Sequence, residues 1–80
     1  MYYFYVLESL VDKSFYYGST NDLIQRLKYH NQKRVKSTKS KAPYKVKYYE
    51  AYATLSLAKR REHNIKKNWA AKEELQKRII

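Results

Sequence analysis

Tyr2-Tyr3-Phe4-Tyr5-Val6-Leu7-Glu8, followed after a short gap by Ser14-Phe15-Tyr16-Tyr17-Gly18-Ser19, is the stretch that decides the fold. Both runs are rich in aromatic and β-branched residues, and the connection Ser9–Lys13 has hairpin length, although no Asn-Gly or Asp-Gly pair dictates its turn. A period of two puts Tyr3, Tyr5 and Leu7 on one face of the first strand, and Tyr16 and Gly18 on one face of the second. With a loop at Ser9–Asp12, Tyr5 and Tyr16 would lie directly opposite, their Cβ atoms ~5 Å apart. The sequence does not fix that register, and two neighbouring phenols also suit plain cross-strand packing. Gly18, the single glycine of the chain, marks a place where the backbone turns sharply or lets another group come close.

Working outward, Thr20-Asn21-Asp22 offers cap residues, and Leu23, Ile24 and Leu27 follow at helical spacing, which predicts a helix over about Asn21–Gln32. Lys33–Pro43 is polar and basic and reads as a loop. Tyr44–Tyr48 alternates as a third strand. Thr54 caps a long helical stretch in which Leu55, Ala58, Ile65 and Trp69 form an apolar seam, with Glu62 at the missing step. Ala70–Ile80 reads as a C-terminal helix whose Ile79-Ile80 docks or frays. The order is β-β-α-β-α-α: one α+β domain over residues 1–80, a small antiparallel three-stranded sheet flanked by helices.

Eighty residues bury only roughly 60–65% of the unfolded surface, so one modest core must suffice. The chain has no cysteine, which excludes disulfides and thiolate zinc sites. The longest apolar run, Tyr2–Leu7, is far short of the ~20 residues a bilayer needs, and no signal peptide is recognisable, so the expectation is cytoplasmic with no membrane partner. A formal charge of +11 and ten tyrosines point to an anionic partner, and phosphate backbones are the commonest kind. A ribosome-associated basic protein fits the same composition, and a protein partner is not readable from it.

Arg26 and His30 share one helix face, at the edge of the stripe made by Leu23 and Leu27. An arginine there could grip a phosphate and stabilise transition-state charge, and a histidine could shuttle a proton. A solvated basic face with an incidental histidine gives the same pattern. Glu62 stands in an apolar seam of a chain with seven acids; such a carboxylate is costly unless it is paired or holds a metal. Magnesium, which binds through one or two carboxylates with water and phosphate, would suit it, as would an ion pair with Arg26 or a neighbouring lysine. Between Asp22 and Glu50 there is no acid, while Lys28, Lys33, Arg34, Lys36, Lys39 and Lys41 are cationic, with Tyr29 and Tyr44 interleaved. That is the pattern of a backbone-tracking nucleic-acid surface.

Together these residues resemble the GIY-YIG nuclease family, from the first strand to about Trp69. Tyr3-Phe4-Tyr5 stands where the first family motif is expected and Tyr16-Tyr17-Gly18 where the second is. The helical arginine corresponds to Arg26, the following histidine or tyrosine to His30, and the metal-holding glutamate to Glu62. Tyr3 replaces the glycine of the first motif, Ser19 stands where many members carry a lysine, and no late asparagine can be assigned between Asn64 and Asn68. The resemblance implies a Mg2+- or Mn2+-dependent endonuclease acting on nucleic acid, with DNA the first expectation. Arg26 would stabilise the transition state, Tyr16 or Tyr5 would activate water, and His30 would receive the proton. The alternative is a non-catalytic basic module that keeps the fold and only binds.

Overall fold

The computed structural model describes residues 1–79. Strand β1 (Tyr2–Ser9) and strand β2 (Phe15–Thr20) form a hairpin, followed by helix α1 (Leu23–Asn31), a short 3-10 turn at Lys39–Lys41, strand β3 (Tyr44–Tyr52), helix α2 (Leu55–Lys67) and helix α3 (Trp69–Ile79). The sheet is antiparallel with order β2-β1-β3. This is the α+β architecture and the element order that the sequence predicts. Ile80 lies outside the described residues, while Ile79 packs against the core.

Side-chain alternation on β1 explains why the sheet is covered on both faces. Phe4 and Val6 point one way and meet Tyr17, Ile65 of α2 and Leu75 of α3. Tyr5 and Leu7 point the other way and meet Tyr44, Tyr16, and Leu23 and Leu27 of α1. The central strand is therefore nearly all apolar, as a strand buried on both sides should be. Each helix starts on a side-chain cap. Asp22 Oδ1 accepts from Gln25 N at 3.0 Å, Thr54 Oγ1 from Leu57 N at 3.2 Å, and Asn68 Oδ1 from Ala71 N at 3.1 Å. With Asp22 as the cap, α1 begins at Leu23 rather than at the expected Asn21.

Other expectations need correction. β3 runs on to Tyr52, pairing with β1 along its whole length around a bulge opposite Val6/Leu7. The apolar seam over Leu55–Trp69 holds only in its middle. Ala58 and Ile65 are fully buried, but Leu55 is 41% and Trp69 77% exposed. The chain leaves helical geometry at Asn68 and starts again, so Trp69 belongs to a new helix and the spacing from Ile65 no longer sets its direction. The segment 33–43 is not a bare loop either. It carries the 3-10 turn and a fully buried Thr38.

The hairpin register also differs from a loop at Ser9–Asp12. Ser9 closes the turn: its N–H donates to Ser14 O, its carbonyl accepts from Lys13 N, and its hydroxyl oxygen takes the Val11 and Asp12 amides. Lys13 occupies the left-handed region (φ 67°). Asp12 holds the far side through Ser14, whose hydrogen bonds keep its carboxyl well below the usual range. As a result Tyr5 pairs with Gly18, and Tyr16 with Leu7. The shift is two residues, so every side chain keeps its face, but Tyr5 and Tyr16 become diagonal rather than opposite neighbours.

Candidate active site

Opposite Tyr5 stands the one residue without a side chain, and the Tyr5 phenol fills that space. A Cβ built on Gly18 would collide with the Tyr5 hydroxyl and ring carbons. Gly18 does not have positive φ, so glycine serves here for room and not for backbone freedom. The close approach expected at this position is that of Tyr5 itself.

From there a directed chain of hydrogen bonds runs across the α1 face. Arg26 Nε–H donates to Tyr5 Oη at 3.3 Å. Tyr5 Oη lies 3.1 Å from His30 Nε2, and His30 Nδ1 lies 2.8 Å from Thr38 Oγ1. Thr38 spends its only hydroxyl proton on Val35 O at 3.3 Å. It must therefore accept from His30, which places the ring proton on Nδ1 and leaves Nε2 bare to accept the Tyr5 proton. One assignment of hydrogens satisfies every member. Burial, and secondarily the Arg26 charge, pull the His30 pKa down to about 4, so the ring is neutral. Burial pushes the Tyr5 phenol up, and the hydrogen bond and charge of Arg26 only partly oppose this. Arg26 is raised, chiefly by its hydrogen bond to Tyr5 and against the effect of its own burial, with Tyr16 adding to the rise.

Tyr16 packs beside this chain at His30. Its ring packs edge-on to His30, with centroids 5.0 Å apart. Unlike Tyr5, which is 1% exposed, it is only half-buried, on the edge strand β2. The Lys66 ammonium, carried by α2, lies 5.8 Å from the Tyr16 ring centroid.

Lys66 also reaches Glu62, at Nζ···Oε2 2.8 Å, and Ser19 donates its hydroxyl to Glu62 Oε1 at 2.6 Å. Burial pushes the Glu62 carboxyl up, but Lys66 and Ser19 together outweigh it and hold the group below its usual value, hence ionised. Of the two ion-pair partners open for Glu62 in the sequence, the one present is a neighbouring lysine, not Arg26. Arg26 lines a shallow groove with Thr20, Asn21, Asp22, Gln25 and Tyr29. Glu62 lines a second groove with Lys59, His63 and Lys66. Thr20, at the end of β2, lines the first groove, and its neighbour Ser19 holds the carboxylate that lines the second. Tyr5, Tyr16, Arg26 and His30 thus form one connected group, and Glu62 joins it through Lys66 around the open strand edge.

No three His, Cys, Asp or Glu side chains gather as a metal cage among the described residues. The donor set that remains is one half-buried, ionised carboxylate facing a groove. That suits magnesium or manganese, which take one or two carboxylates and complete their shell with water and phosphate oxygens.

Lys28, Lys33, Arg34, Lys36 and Lys39 are exposed, and none is in an ion pair among the described residues. Lys41 is exposed too, but its ammonium is held 3.4 Å from Asp12, and its carbonyl accepts from Ser9 Oγ. The segment carrying Lys33, Arg34, Lys36, Lys39 and Lys41 is fastened to His30 by the Thr38 hydrogen bond. Thr38 was not foreseeable in the sequence, being one hydroxyl residue among several in Lys36–Ser40. Lys66 carried a signal, since it stands four residues after Glu62, the spacing of a helical ion pair. The late asparagines lie elsewhere. Asn68 caps α3, and Asn64 lines a groove with Tyr52, Leu57, Arg60 and Lys67.

No helix among the described residues is long and apolar enough to cross a membrane. A family model described as the GIY-YIG catalytic domain matches residues 1–76. A UPF0213 protein of Bacillus pumilus is 42% identical over 72 residues, covering 89% of this chain and 71% of that protein. UPF0213 protein YazA of Bacillus subtilis is 39% identical over 75 residues, covering 92% and 75%. A UPF0213 protein of Haloquadratum walsbyi is 36% identical over 66 residues, covering 81% and 73%. No solved structure matches the chain. With the two tyrosine motifs on adjacent strands and almost its whole length matched, the chain belongs to the GIY-YIG catalytic domain family, a family of nucleases.

Proposed function

We propose that this protein is a divalent-metal-dependent endonuclease hydrolysing phosphodiester bonds of nucleic acid, DNA before RNA. The observation that carries this reading is the convergence at one open strand edge of an oriented arginine, a half-exposed phenol and an ionised carboxylate. Mg2+ or Mn2+ held at Glu62 would supply the positive charge that a departing oxygen needs. Everything else falls to side chains of this chain. Arg26, with Nε spent on Tyr5, keeps its two terminal nitrogens for a phosphate and stabilises its added charge. Tyr16, the half-exposed phenol of the group, orients the attacking water and takes its proton.

Tyr5 is not suited to that task. It is buried, its hydroxyl donates to His30 Nε2, its oxygen accepts from Arg26, and burial holds its proton on. We assign Tyr5 and His30 as positioning residues that aim Arg26. A neutral His30 whose Nε2 is already filled makes a poor resting place for the reaction proton, so we do not keep for it the receiving role expected from the sequence. Lys28, Lys33, Arg34, Lys36 and Lys39 would track the phosphate backbone.

The test is incubation of labelled duplex, branched and single-stranded DNA, and the RNA counterparts, with Mg2+ or Mn2+. Cleavage is expected, and it should be abolished by Glu62→Gln with binding retained. Arg26→Ala should slow it by roughly 10²–10³, the usual loss for one transition-state donor. One observation favours a second reading, a module that binds without cutting: both Glu62 oxygens are already hydrogen-bonded. Retention of nucleic acid with no cleavage of any substrate under either metal would decide for that reading.

A further inference from the structure

The two hydrogen bonds on Glu62 are not equivalent. Ser19 belongs to β2, is half-buried, and its short side chain has little freedom. Lys66 is on an exposed helix face, 44% of its side chain is open to solvent, and its four-carbon stem can swing away. An ordinary surface pair between residues four apart leaves one carboxylate oxygen to water. Here Ser19 has taken that oxygen, so the ammonium stands on the remaining one, where a hard cation would have to bind. Leaving Glu62 does not strand Lys66, because the negative face of the Tyr16 ring is 5.8 Å away.

We propose that Lys66 is an internal stand-in for the metal: its ammonium occupies the open oxygen of Glu62, and a divalent cation binds only by displacing it toward Tyr16 and any phosphate lying there. This rests on the reading of Glu62 as the metal ligand and adds to it a residue that controls loading. Ser19 stays in place throughout and holds the carboxylate's direction. Because the displaced ammonium gains a partner when a phosphate backbone is present, metal and nucleic acid load together, and the protein alone holds metal weakly. A free cation cannot then sit permanently at Glu62 without a substrate.

The experiment is a titration of Mn2+ alone into the metal-free protein, with free Mn2+ read from its electron paramagnetic resonance signal. It uses the wild type, Lys66→Met, Lys67→Met, Glu62→Gln and the double variant Glu62→Gln/Lys66→Met. Methionine keeps the stem beside Tyr16 and removes only the charge. Lys67→Met removes the same charge from a neighbouring residue that lines the groove on the other side of the helix. Lys66→Met should bind Mn2+ roughly tenfold more tightly than wild type, a common size for coupling between two charged ligands. Lys67→Met should match wild type, and both variants lacking Glu62 should bind little. Melting temperatures without metal check that each variant is folded. Equal or weaker binding by Lys66→Met, with Glu62 still required, overturns the stand-in and leaves the metal assignment intact. An equal gain from Lys67→Met does the same, since net charge alone would explain it. Mn2+ binding indifferent to Glu62, or absent even in Lys66→Met, overturns the metal assignment and the stand-in with it.

Discussion

The contrast between the two motif tyrosines shows how far a single hydroxyl's surroundings determine its chemistry. Tyr5 and Tyr16 are the same residue type on paired strands and on the same face of the sheet. Tyr5 is enclosed, with a donor and an acceptor already engaged, while Tyr16 lies at the edge. Removing each hydroxyl should therefore produce opposite signatures. Tyr5→Phe deletes a buried hydroxyl and leaves His30 Nε2 without its donor, which costs about 1–3 kcal/mol. For a domain this small that is a drop of ~4–8 °C in melting temperature per kcal/mol. Tyr16→Phe should leave the melting temperature nearly unchanged and remove most of the cleavage rate. Equal melting losses in the two variants would refute the division of labour. Gly18→Ala is the companion test. Its new methyl group meets a ring that cannot yield, because His30 and Arg26 hold the Tyr5 hydroxyl. Overpacking of this kind costs about 1–3 kcal/mol. It should also slow cleavage by turning Arg26, so an alanine variant as stable and as active as wild type would contradict the proposed packing.

Among the elements, β3 and α2 share a network with no part in the candidate site. Glu50 Oε1 accepts from Tyr52 at 2.6 Å and Oε2 from Tyr48 at 2.7 Å, while Arg61 Nε and Nη2 hold the same oxygens at 3.0 and 3.2 Å. Burial pushes the Glu50 carboxyl up, but Tyr52, Tyr48 and Arg61 outweigh it, so the group stays ionised and below its usual value. Glu50→Gln keeps the size and an acceptor but leaves Arg61 half-buried without a counter-ion. Allowing for its partial exposure, a loss of about 1–2 kcal/mol is expected. Cleavage and Mn2+ affinity should not change, which makes this variant a stability control for the site variants; a change in either would mean that the network reaches the site. The network was hidden in the sequence because β3 looked finished at Tyr48, and only the longer strand puts Tyr48, Glu50 and Tyr52 on one face. The elements themselves were legible wherever a period was unbroken, as in β1, β2 and α1. What was lost came from interruptions: the restart at Asn68 that turned Trp69 outward, and a turn built on Ser9 that moved the register by two. The site residues survived those errors because a two-residue shift preserves faces. Their hydrogen-bond order could not be read in advance, since it depends on Thr38, brought to His30 by a segment with no pattern of its own.

At the scale of the whole molecule, two ionic properties can be measured without knowing the substrate. The first is stability against acid. His30 is neutral when folded, with its pKa near 4, and an unfolded histidine titrates near ~6.5. Below ~6.5 the unfolded chain binds the proton first, so stability is full above that value and falls as pH drops toward 4, by about 3 kcal/mol in all. Glu50 and Glu62, both held low, add losses only further down, as pH falls below the ordinary carboxylate range. His30→Gln offers an acceptor to Tyr5 and a donor to Thr38 without a titrating ring. Its melting temperature should be flat between pH 7 and 5, where the wild type declines; parallel profiles would remove His30 as the cause. The second property is the salt dependence of nucleic-acid binding. The acid-free run from Leu23 to Tyr49 presents charges that differ in what they are already doing. Lys36 and Arg34 are exposed and in no ion pair among the described residues, although Arg34 also lies over the Tyr29 ring at 5.2 Å. Lys41 is already engaged by Asp12. Each phosphate neutralised steepens the fall of log affinity with log salt by ~0.9 for duplex DNA. Lys36→Gln and Arg34→Gln should each flatten that slope by about one such step. Lys41→Gln should flatten it less, because binding through Lys41 must first give up Asp12 and so gains less charge neutralisation. Fluorescence anisotropy of a labelled duplex across a salt series, without divalent metal so that nothing is cut, separates these cases. If Lys41→Gln flattens the slope as much as Lys36→Gln, the Asp12 pair does not restrain Lys41 in solution. If none of the three alters it, the backbone lies across another face of the protein.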